Sequence, residues 1–260
     1  MDKISICFCI NDKYAQYLGV VLTSILLNNR KETFKFYVLS SDISEENKNI
    51  LNTLKKKYKN FEIFYINIDK NRFKNFKINI DYISIETYYR YILADVIPKE
   101  DKVLYLDVDL IVNNDLKDLW NININDYYCA AVKDLNFDTE KYKKCIGMND
   151  NEEYINAGVI LFNLKKLRED NIKYQDQDVI NITLSNKIKI IDSIYNFTRN
   201  DKTKNWNDAV IIHFVGAKKP WKSLSFNKLK QLYYYYYIRS PYLKINSFNK
   251  LLFFIFGLIK

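Results

Sequence analysis

The segment VLYLDVDLIV at residues 103–112 is a run of apolar side chains that is interrupted by two aspartates. Such a run is typical of a β-strand that is covered on both faces, as in a parallel sheet. A buried carboxylate costs several kcal/mol or more unless it is paired with a cation or bound to a metal. Asp107 and Asp109 therefore indicate a place where positive charge, from the chain or from a bound ion, balances two carboxylates.

Strand and helix patterns alternate along the chain. Strands are predicted at residues 4–10, 34–40, 61–67, 103–112, 129–134, 154–164 and 210–216, and helices from about Tyr14, after Ser44 as N-cap, and from about Ser84 and Gln175. Strands separated by helices predict an α/β domain with a mostly parallel central sheet. Ligands bind beyond the carboxyl ends of such strands. Residues 11–14, the aspartates in the second half of their strand, and residues 213–216 are therefore expected in one crevice.

The amino-acid composition is that of a globular protein. The 260 residues are 48% hydrophobic and 27% charged, which suffices for one large domain or two small ones. The first residues, MDKISICFCINDKY, lack the small-residue cleavage site of a signal peptide, and no apolar run reaches the ~20 residues of a membrane span. The sequence therefore predicts a protein that stays in the cytoplasm.

The formal net charge of +9 is concentrated at the end of the chain. From Ala209 onward there are nine basic residues and no acidic ones, so the first 208 residues carry 31 of each sign. A dedicated nucleic-acid groove is expected to make the body of a domain basic. A nucleic-acid-binding module is therefore the less favoured alternative, and no nucleic-acid partner is expected.

Residues 222–260 are predicted to form a basic aromatic tail after a domain at residues 1–221. Basic residues lie before, within and after the aromatic run LYYYYYIRSPY. The apolar run LLFFIFGLI near the end is less than half as long as a membrane-spanning helix. Aromatic and apolar side chains beside lysine suit a segment that lies on an anionic membrane surface. We expect residues 251–259 to hold the protein peripherally at the inner face of the cell membrane, and part of residues 233–237 to pack back as a helix.

Two segments carry residues suited to a metal–diphosphate site. Asp107 and Asp109, two apart on a strand, point to the same face and suit one divalent cation with its diphosphate. The alternative is structural, with one carboxylate paired to a basic side chain and the other capping a loop. His213 is the only histidine and lies in the apolar run VIIHFV, where a core role is common. The residues GAKKPW after that run add a glycine for close backbone approach and two lysines, which favours the metal–diphosphate interpretation.

The segment YQDQDVIN at residues 174–181 places polar side chains at a predicted helix start. Helix capping is one interpretation. The other is recognition of sugar hydroxyls by Asp176, Gln177 and Asp178, because carboxylates and amides supply suitable hydrogen-bonding groups. The chain contains no G-x-G-x-x-G and no Walker P-loop, so neither common phosphate-binding loop is expected.

Seven segments in order resemble glycosyltransferase family 8, the retaining transferases that include glycogenin, and most closely the bacterial lipooligosaccharide α-1,4-galactosyltransferases. They are NDKYAQYL, ISIETYYRYIL, DKVLYLDVDLIV, KKCIGM, YINAGVILFNLKK, YQDQD and HFVGAKKPW, and the resemblance extends from Ile4 to about Trp221. The resemblance implies a GT-A fold and a UDP-hexose donor carrying galactose or glucose. It also implies a glycan or glycolipid acceptor in bacterial surface saccharide synthesis, and Mn²⁺, with Mg²⁺ as the alternative ion.

The resemblance also implies roles for residues, position by position. The implied metal ligands are Asp107, Asp109 and His213. The implied donor-binding residues are Asn11, Asp12 and Tyr14 for uridine, Arg90, Asp134 and Asn156 for the sugar, and Val108, Ala157, Gly216 and Lys219. The implied catalytic residues are Asp176, Gln177 and Lys219. Lys219 would stabilise charge on the departing UDP, and Gln177 would lie beside the anomeric carbon, although an amide is a weak nucleophile.

The chain departs from the family pattern at several positions. Asn11 and Lys13 stand where the family commonly has Asp and Asn. The segments on either side of residues 174–178 are shorter than in the relatives, which predicts a more open acceptor side. One alternative is a catalytically decayed paralogue that still binds a UDP-sugar. Another is a phosphatase of the haloacid dehalogenase type, which uses D-x-D at its first core strand rather than after three earlier strands.

Overall fold

A seven-stranded sheet is the framework of the molecule. The structure is a computed structural model that describes residues 3–73, 84–135, 139–172, 177–222 and 228–243. Its strands are β1 (Ile4–Cys9), β2 (Phe34–Ser40), β3 (Phe61–Asn67), β4 (Lys102–Leu106), β5 (Leu110–Val112), β6 (Cys129–Lys133), β7 (Ile155–Asn163), β8 (Ile188–Ile190) and β9 (Ile211–His213). Within the described residues the main sheet has the order β3-β2-β1-β4-β7-β6-β8, and β5 pairs with β9 in a second, two-stranded sheet.

The main sheet is mostly parallel. Strand β1 pairs in parallel with β2 on one side and with β4 on the other, and β2 pairs in parallel with β3. Strand β7 is antiparallel to both of its neighbours, β4 and β6. The predicted α/β class with a mostly parallel sheet is confirmed.

Helices precede or follow most strands. They are α1 (Ala15–Asn28), α2 (Glu45–Asn52), α3 (Leu93–Val96), α4 (Lys117–Trp120), α5 (Thr139–Ile146), α6 (Leu164–Glu169), α7 (Gln177–Leu184) and α8 (Lys228–Tyr237). The predicted cap of α2 is confirmed, because the Ser44 hydroxyl accepts a hydrogen bond from the backbone N–H of Asn47. Side chains that alternate along β1 enter two cores, with Ile6 on the face that packs against α1 and Cys7 on the opposite face.

The predicted strand at residues 103–112 is wrong as a single element. Strand β4 ends at Leu106, and the chain bends before β5 leaves the main sheet to pair with β9. Asp107 and Asp109 therefore lie between two strands and not within one. The apolar side chains on both sides of the bend are buried, as they would be in one continuous strand. Hydrophobicity alone therefore could not reveal the bend.

The helix predicted from Ser84 is also different in detail. Residues Ile85–Ile92 wind as a 3-10 helix, and only the short α3 that follows is α-helical. Residues 88–91 are buried at consecutive positions, so this segment has no continuous solvent face of the kind that defines an amphipathic α-helix.

The described part of the tail packs onto the domain. Tyr233 and Tyr236 of α8 are buried, and the Tyr236 hydroxyl accepts a hydrogen bond from Asn28 at the end of α1. The expectation that part of residues 233–237 packs back as a helix is confirmed. Residues 251–259 lie outside the described residues, and in the rest no helix has the length and hydrophobicity needed to cross a membrane.

Candidate active site

The turn at residues 11–14 and the two aspartates follow neighbouring parallel strands. Because Cys7 of β1 lies opposite Tyr105 of β4, the carboxyl ends of these strands meet at one edge of the sheet. Asn11 follows β1 and Asp107 follows β4 at that edge. The pairing of Leu110 with His213 in the second sheet brings β9 to the same place. The two sheets thus bring together the three segments that the sequence predicted to meet.

Asp107, Asp109 and His213 converge, with one possible ligand atom from each lying within 4.8 Å of the others. The Nε2 atom of His213 is 3.0 Å from Asp109 Oδ1 and 3.8 Å from Asp107 Oδ2. Neighbouring ligands of an octahedral cation at 2.0–2.1 Å are roughly 3 Å apart, so these atoms can close around one ion with small side-chain movements. Two carboxylates and one imidazole are a donor set that fits Mn²⁺ or Mg²⁺.

The loop after β9 adds positive charge to this cluster. The Lys219 ammonium forms an ion pair with Asp109, and it also donates a 3.1 Å hydrogen bond to the Phe214 carbonyl. Gly216 within this loop has a φ of +79°, which favours glycine over residues with a Cβ. Trp221 stacks on Tyr17 of α1 with ring centroids 3.9 Å apart, which anchors the end of the loop.

Opposite charges keep Asp109 ionised. Burial raises the pKa of Asp109, but His213 and Lys219 outweigh burial and hold that pKa well below its usual range. Burial lowers the pKa of His213, but the two aspartates outweigh it and the net shift is upward. The pKa of Tyr105 is raised by burial and by Asp107, so its hydroxyl remains a proton donor to Asp107 Oδ1, 2.6 Å away.

Arg90 lies on the 3-10 helix against this cluster. Its guanidinium donates a 2.9 Å hydrogen bond to the Ala157 carbonyl and packs over the Tyr105 ring, with 5.3 Å between guanidinium carbon and ring centroid. The side chain is 3% exposed, and its Nε is buried with no hydrogen-bond partner in the described structure. A ligand that enters here would meet a buried cation with an unused donor. Val108 of the bend is also buried.

A chain of amide groups orients the His213 ring. Asn156 donates to the Asp134 carboxylate at 3.1 Å, and its oxygen accepts from the Gly158 backbone and from Asn196 at 3.1 and 3.0 Å. The Asn196 oxygen therefore faces the ring, 2.9 Å from His213 Nδ1. Since that oxygen can only accept, Nδ1 carries a proton and Nε2 is directed at the aspartates.

Gly158 of β7 leaves room for the cluster. A Cβ atom at this position would overlap the His213 ring and lie 2.8 Å from Asp107 Oδ2. The Gly158 carbonyl also accepts a 2.8 Å hydrogen bond from the Asp107 backbone. A side chain at position 158 would therefore displace the Asp107 carboxylate and the His213 ring.

Comparisons with known proteins agree with this geometry. The sequence matches the profile of Glycosyl transferase family 8 over residues 5–173 and 169–225. The chain belongs to glycosyltransferase family 8. Within it, the Salmonella typhimurium lipopolysaccharide 1,3-galactosyltransferase is 30% identical, with 85% of this chain and 74% of that protein aligned. The Escherichia coli lipopolysaccharide 1,2-glucosyltransferase is 28% identical over the same shares.

A solved structure shares the whole fold of this family 8 enzyme. The galactosyltransferase LgtC, crystallised with donor and acceptor sugar analogues, superposes with a TM-score of 0.80. The two chains are 29% identical, and 98% of this chain and 100% of the LgtC chain are covered. The predicted GT-A fold and family are thereby confirmed.

The turn at residues 11–14 of this family 8 enzyme is held by its own hydrogen bonds. The Asn11 side chain caps the short 3-10 helix Asp12–Tyr14 by accepting from the Tyr14 N–H at 3.2 Å. The Asp12 carboxylate accepts from the Ser44 backbone and from Asn47 at 2.8 and 2.7 Å, and chiefly the Asn47 bond lowers the pKa of Asp12. Asp12 therefore ties the turn to α2.

Three side chains predicted to recognise the sugar lie outside the described part of the structure. Asp176 is outside the described residues, and Gln177 and Asp178 lie in the first turn of α7 with side chains that are likewise outside them. Asp134 and Asn156 do lie together, as expected, and the amide chain connects them to His213.

Sequence reasoning missed Asn196, Tyr105 and Gly158. Asn196 belongs to an N-x-[ST] sequon and carried no other local signal. Tyr105 was detectable, because it is two residues before Asp107 and shares its face. Gly158 was also detectable, since an isolated glycine inside a strand often marks close approach of another group.

Proposed function

We propose that this enzyme moves a hexose, galactose or glucose, from a UDP-sugar to a glycan or glycolipid acceptor with retention of anomeric configuration. The observation that carries the proposal is the convergence of Asp107, Asp109 and His213 beside Lys219 at the carboxyl edge of the sheet. The lipopolysaccharide galactosyl- and glucosyltransferases among its relatives support a hexose and a bacterial surface saccharide.

The metal in this proposal is Mn²⁺, with Mg²⁺ as the alternative. Asp107 and Asp109 would hold it with His213, whose Nε2 atom the amide chain through Asn196 directs at the aspartates. When bound, the ion supplies Lewis-acid stabilisation of the negative charge on the diphosphate.

The chain's own residues bind and orient the donor. Asn11, Asp12 and Tyr14 form the turn that binds the nucleotide. We assign the backbone at Val108, Ala157 and Gly216 to direct contact with the nucleotide and its diphosphate. Lys219 stabilises charge on the diphosphate as it departs. The donor sugar is assigned to a pocket that includes Arg90, Asp134, Asn156, Asp176 and Gln177.

The anomeric configuration is retained if the diphosphate leaves from, and the acceptor hydroxyl attacks, the same face of the sugar. The bond between the anomeric carbon and the diphosphate oxygen breaks while the acceptor oxygen forms a bond to that carbon on the same face. The acceptor proton passes to a diphosphate oxygen, which serves as the base. Gln177 is assigned beside the anomeric carbon, where its amide orients the sugar but is too weak a nucleophile for a covalent step.

The tail at residues 222–260 suggests where in the cell the enzyme works. Residues 222–260 carry seven basic residues, each worth about 1 kcal/mol at an anionic surface. We assign the enzyme to the cytoplasmic face of the cell membrane, held peripherally by the end of this tail. A lipid-linked acceptor at that face would then lie within reach of the crevice.

A panel of UDP-sugars with Mn²⁺ tests the proposal. UDP release is measured with each sugar, with and without membrane glycolipid acceptors. We expect release from UDP-galactose or UDP-glucose that increases with acceptor and stops on chelation of the metal. Binding of UDP-sugars without release in any combination would identify a catalytically decayed paralogue instead.

A further inference from the structure

Glu86 is a buried carboxylate that the proposed mechanism does not use. It lies at the start of the 3-10 helix Ile85–Ile92 and is 4% exposed. Within the described residues it accepts one hydrogen bond, from the Asn11 side-chain amide, and that bond is long at 3.3 Å. Its second carboxylate oxygen therefore has acceptor capacity that no described group fills.

The helix does not account for this burial. Acidic side chains are favoured in a first helical turn by the helix dipole, but they keep that benefit while exposed to water. A desolvated carboxylate needs several donors. Glu100, by contrast, accepts from Ser5, Lys35 and Tyr37 at 2.6–2.7 Å. Glu86 can thus accept a hydrogen bond from a further donor.

The surroundings of Glu86 indicate which part of a ligand that donor belongs to. Asn11 follows β1 in the nucleotide turn, and Glu86 contacts this turn directly. Four residues later on the same 3-10 helix, Arg90 contacts Ala157 and Tyr105 beside the metal cluster. A nucleotide with its diphosphate at Asp107, Asp109 and His213 would place its base towards the Asn11 end of this helix.

We infer that Glu86 and Asn11 together recognise the base of the nucleotide, with the Glu86 carboxylate accepting the N3–H of uracil. The inference rests on the proposed function, which places a UDP-sugar in this crevice. The Asn11 amide has two N–H groups, so one can bind Glu86 while the other donates to a uracil carbonyl beside N3. Cytosine has a lone pair at N3, which the carboxylate would repel.

The hydrogen bonds of Asn11 support a shared role with Glu86 in binding the base. The Asn11 oxygen already accepts from the Tyr14 N–H within the turn, whereas its amide has a second N–H that can donate to a ligand. A base with both a donor and an acceptor on one edge is then matched when a carboxylate stands beside this N–H. Glu86 is the described carboxylate in hydrogen-bond contact with Asn11, and it supplies the acceptor for the donor of the base.

Calorimetry with the full-length protein in saturating Mn²⁺ tests the inference, with UDP, CDP and N3-methyl-UDP as ligands. Neither CDP nor N3-methyl-UDP can donate from N3. We expect UDP to bind the wild type at least about tenfold more tightly than either analogue, because a hydrogen bond to a charged acceptor is lost. Equal binding of UDP and N3-methyl-UDP by the wild type would overturn the inference and leave the proposed function standing.

The variant Glu86→Gln tests the residue itself. A glutamine amide can donate to cytosine N3, so we expect the preference for UDP over CDP to fall at least about tenfold. The control is Glu32→Gln, which alters another buried glutamate, paired with Lys117 away from the crevice, and should keep the wild-type preference. An unchanged preference in Glu86→Gln would overturn the inference. Failure of the wild type to bind UDP at all would overturn the proposed function as well.

Discussion

The side-chain oxygen of Asn196 lies 2.9 Å from Nδ1 of His213 and determines which nitrogen of that ring carries a proton. The amide of Asn196 can present this oxygen because its own N–H donates to Asn156, whose orientation is set by Asp134 and the Gly158 backbone. The Asp134 carboxylate and the His213 imidazole are thereby parts of one hydrogen-bonded chain.

We predict that Asn196→Ala weakens Mn²⁺ binding about 10- to 100-fold, the usual cost of losing the partner that orients a ligating histidine. Mn²⁺ affinity is measured by titration with electron paramagnetic resonance, without substrate. The control Asn60→Ala removes an amide that binds the backbone carbonyls of Asn29 and Glu32, and it should retain wild-type Mn²⁺ affinity. Wild-type affinity in Asn196→Ala would contradict the orienting role.

Asp107→Asn and Asp109→Asn should each lower kcat/KM at least about 100-fold. Each substitution removes a charged metal ligand, and with it several kcal/mol of transition-state stabilisation by the ion. The substitutions change charge but little volume, so the circular dichroism spectrum and cooperative unfolding should persist. Chelation of the wild type should have the same effect, reversed by Mn²⁺. Asp126→Asn, at an exposed aspartate, is the control. Full activity of metal-free Asp109→Asn would contradict the metal assignment.

Gly158→Ala should destabilise the protein by about 1–3 kcal/mol, since the added methyl group overlaps the His213 ring. It should also weaken Mn²⁺ binding, because His213 and Asp107 both have to move. Urea denaturation and Mn²⁺ titration measure the two effects. Gly147→Ala is the matched control: its φ of +80° predicts backbone strain, but a Cβ there meets no atom within 4 Å, so Mn²⁺ affinity should not change.

Glu100 should make stability depend on pH. Burial raises its pKa, but hydrogen bonds from Lys35, Tyr37 and Ser5 outweigh burial and lower it overall. A carboxyl with a lowered folded-state pKa stabilises the protein above its unfolded pKa of about 4.3, and the benefit is lost as pH falls through the folded value.

We therefore expect Glu100→Gln to lose about 1 kcal/mol of unfolding free energy at pH 7. The difference from wild type should shrink as pH falls below about 4. Urea denaturation at several pH values measures this. Glu62→Gln, which breaks an exposed ion pair with Lys3, is the control and should cause no measurable loss. A pH-independent difference for Glu100→Gln would contradict the electrostatic explanation.

Deleting residues 245–260 should release the protein from anionic vesicles and leave UDP binding intact, since the packed helix α8 remains in the shortened chain. Binding of the full-length protein should weaken as salt rises. Replacing Lys250 and Lys260 by glutamine keeps the apolar run and separates charge from hydrophobicity. Equal partitioning of the shortened and full-length proteins would contradict a membrane role for this segment.

The sequence alone determined the elements whose signals are local. Strands β2 and β3 have the predicted bounds, and α2 starts after its predicted cap, because apolar runs and capping side chains act within a few residues. The family motifs were equally readable, and they identified Asp107, Asp109 and His213 before their geometry was known. These features depend on residue type and on short spacing.

Only the tertiary structure decided how these pieces meet. The bend after Leu106 exists because β5 pairs with β9, a partner about a hundred residues away in the chain. The contacts of Asn196 with His213 and of Glu86 with Asn11 likewise join separate elements. A buried polar group takes whichever partner the fold brings within hydrogen-bond distance, and the packing of the whole chain, not local sequence, makes that choice.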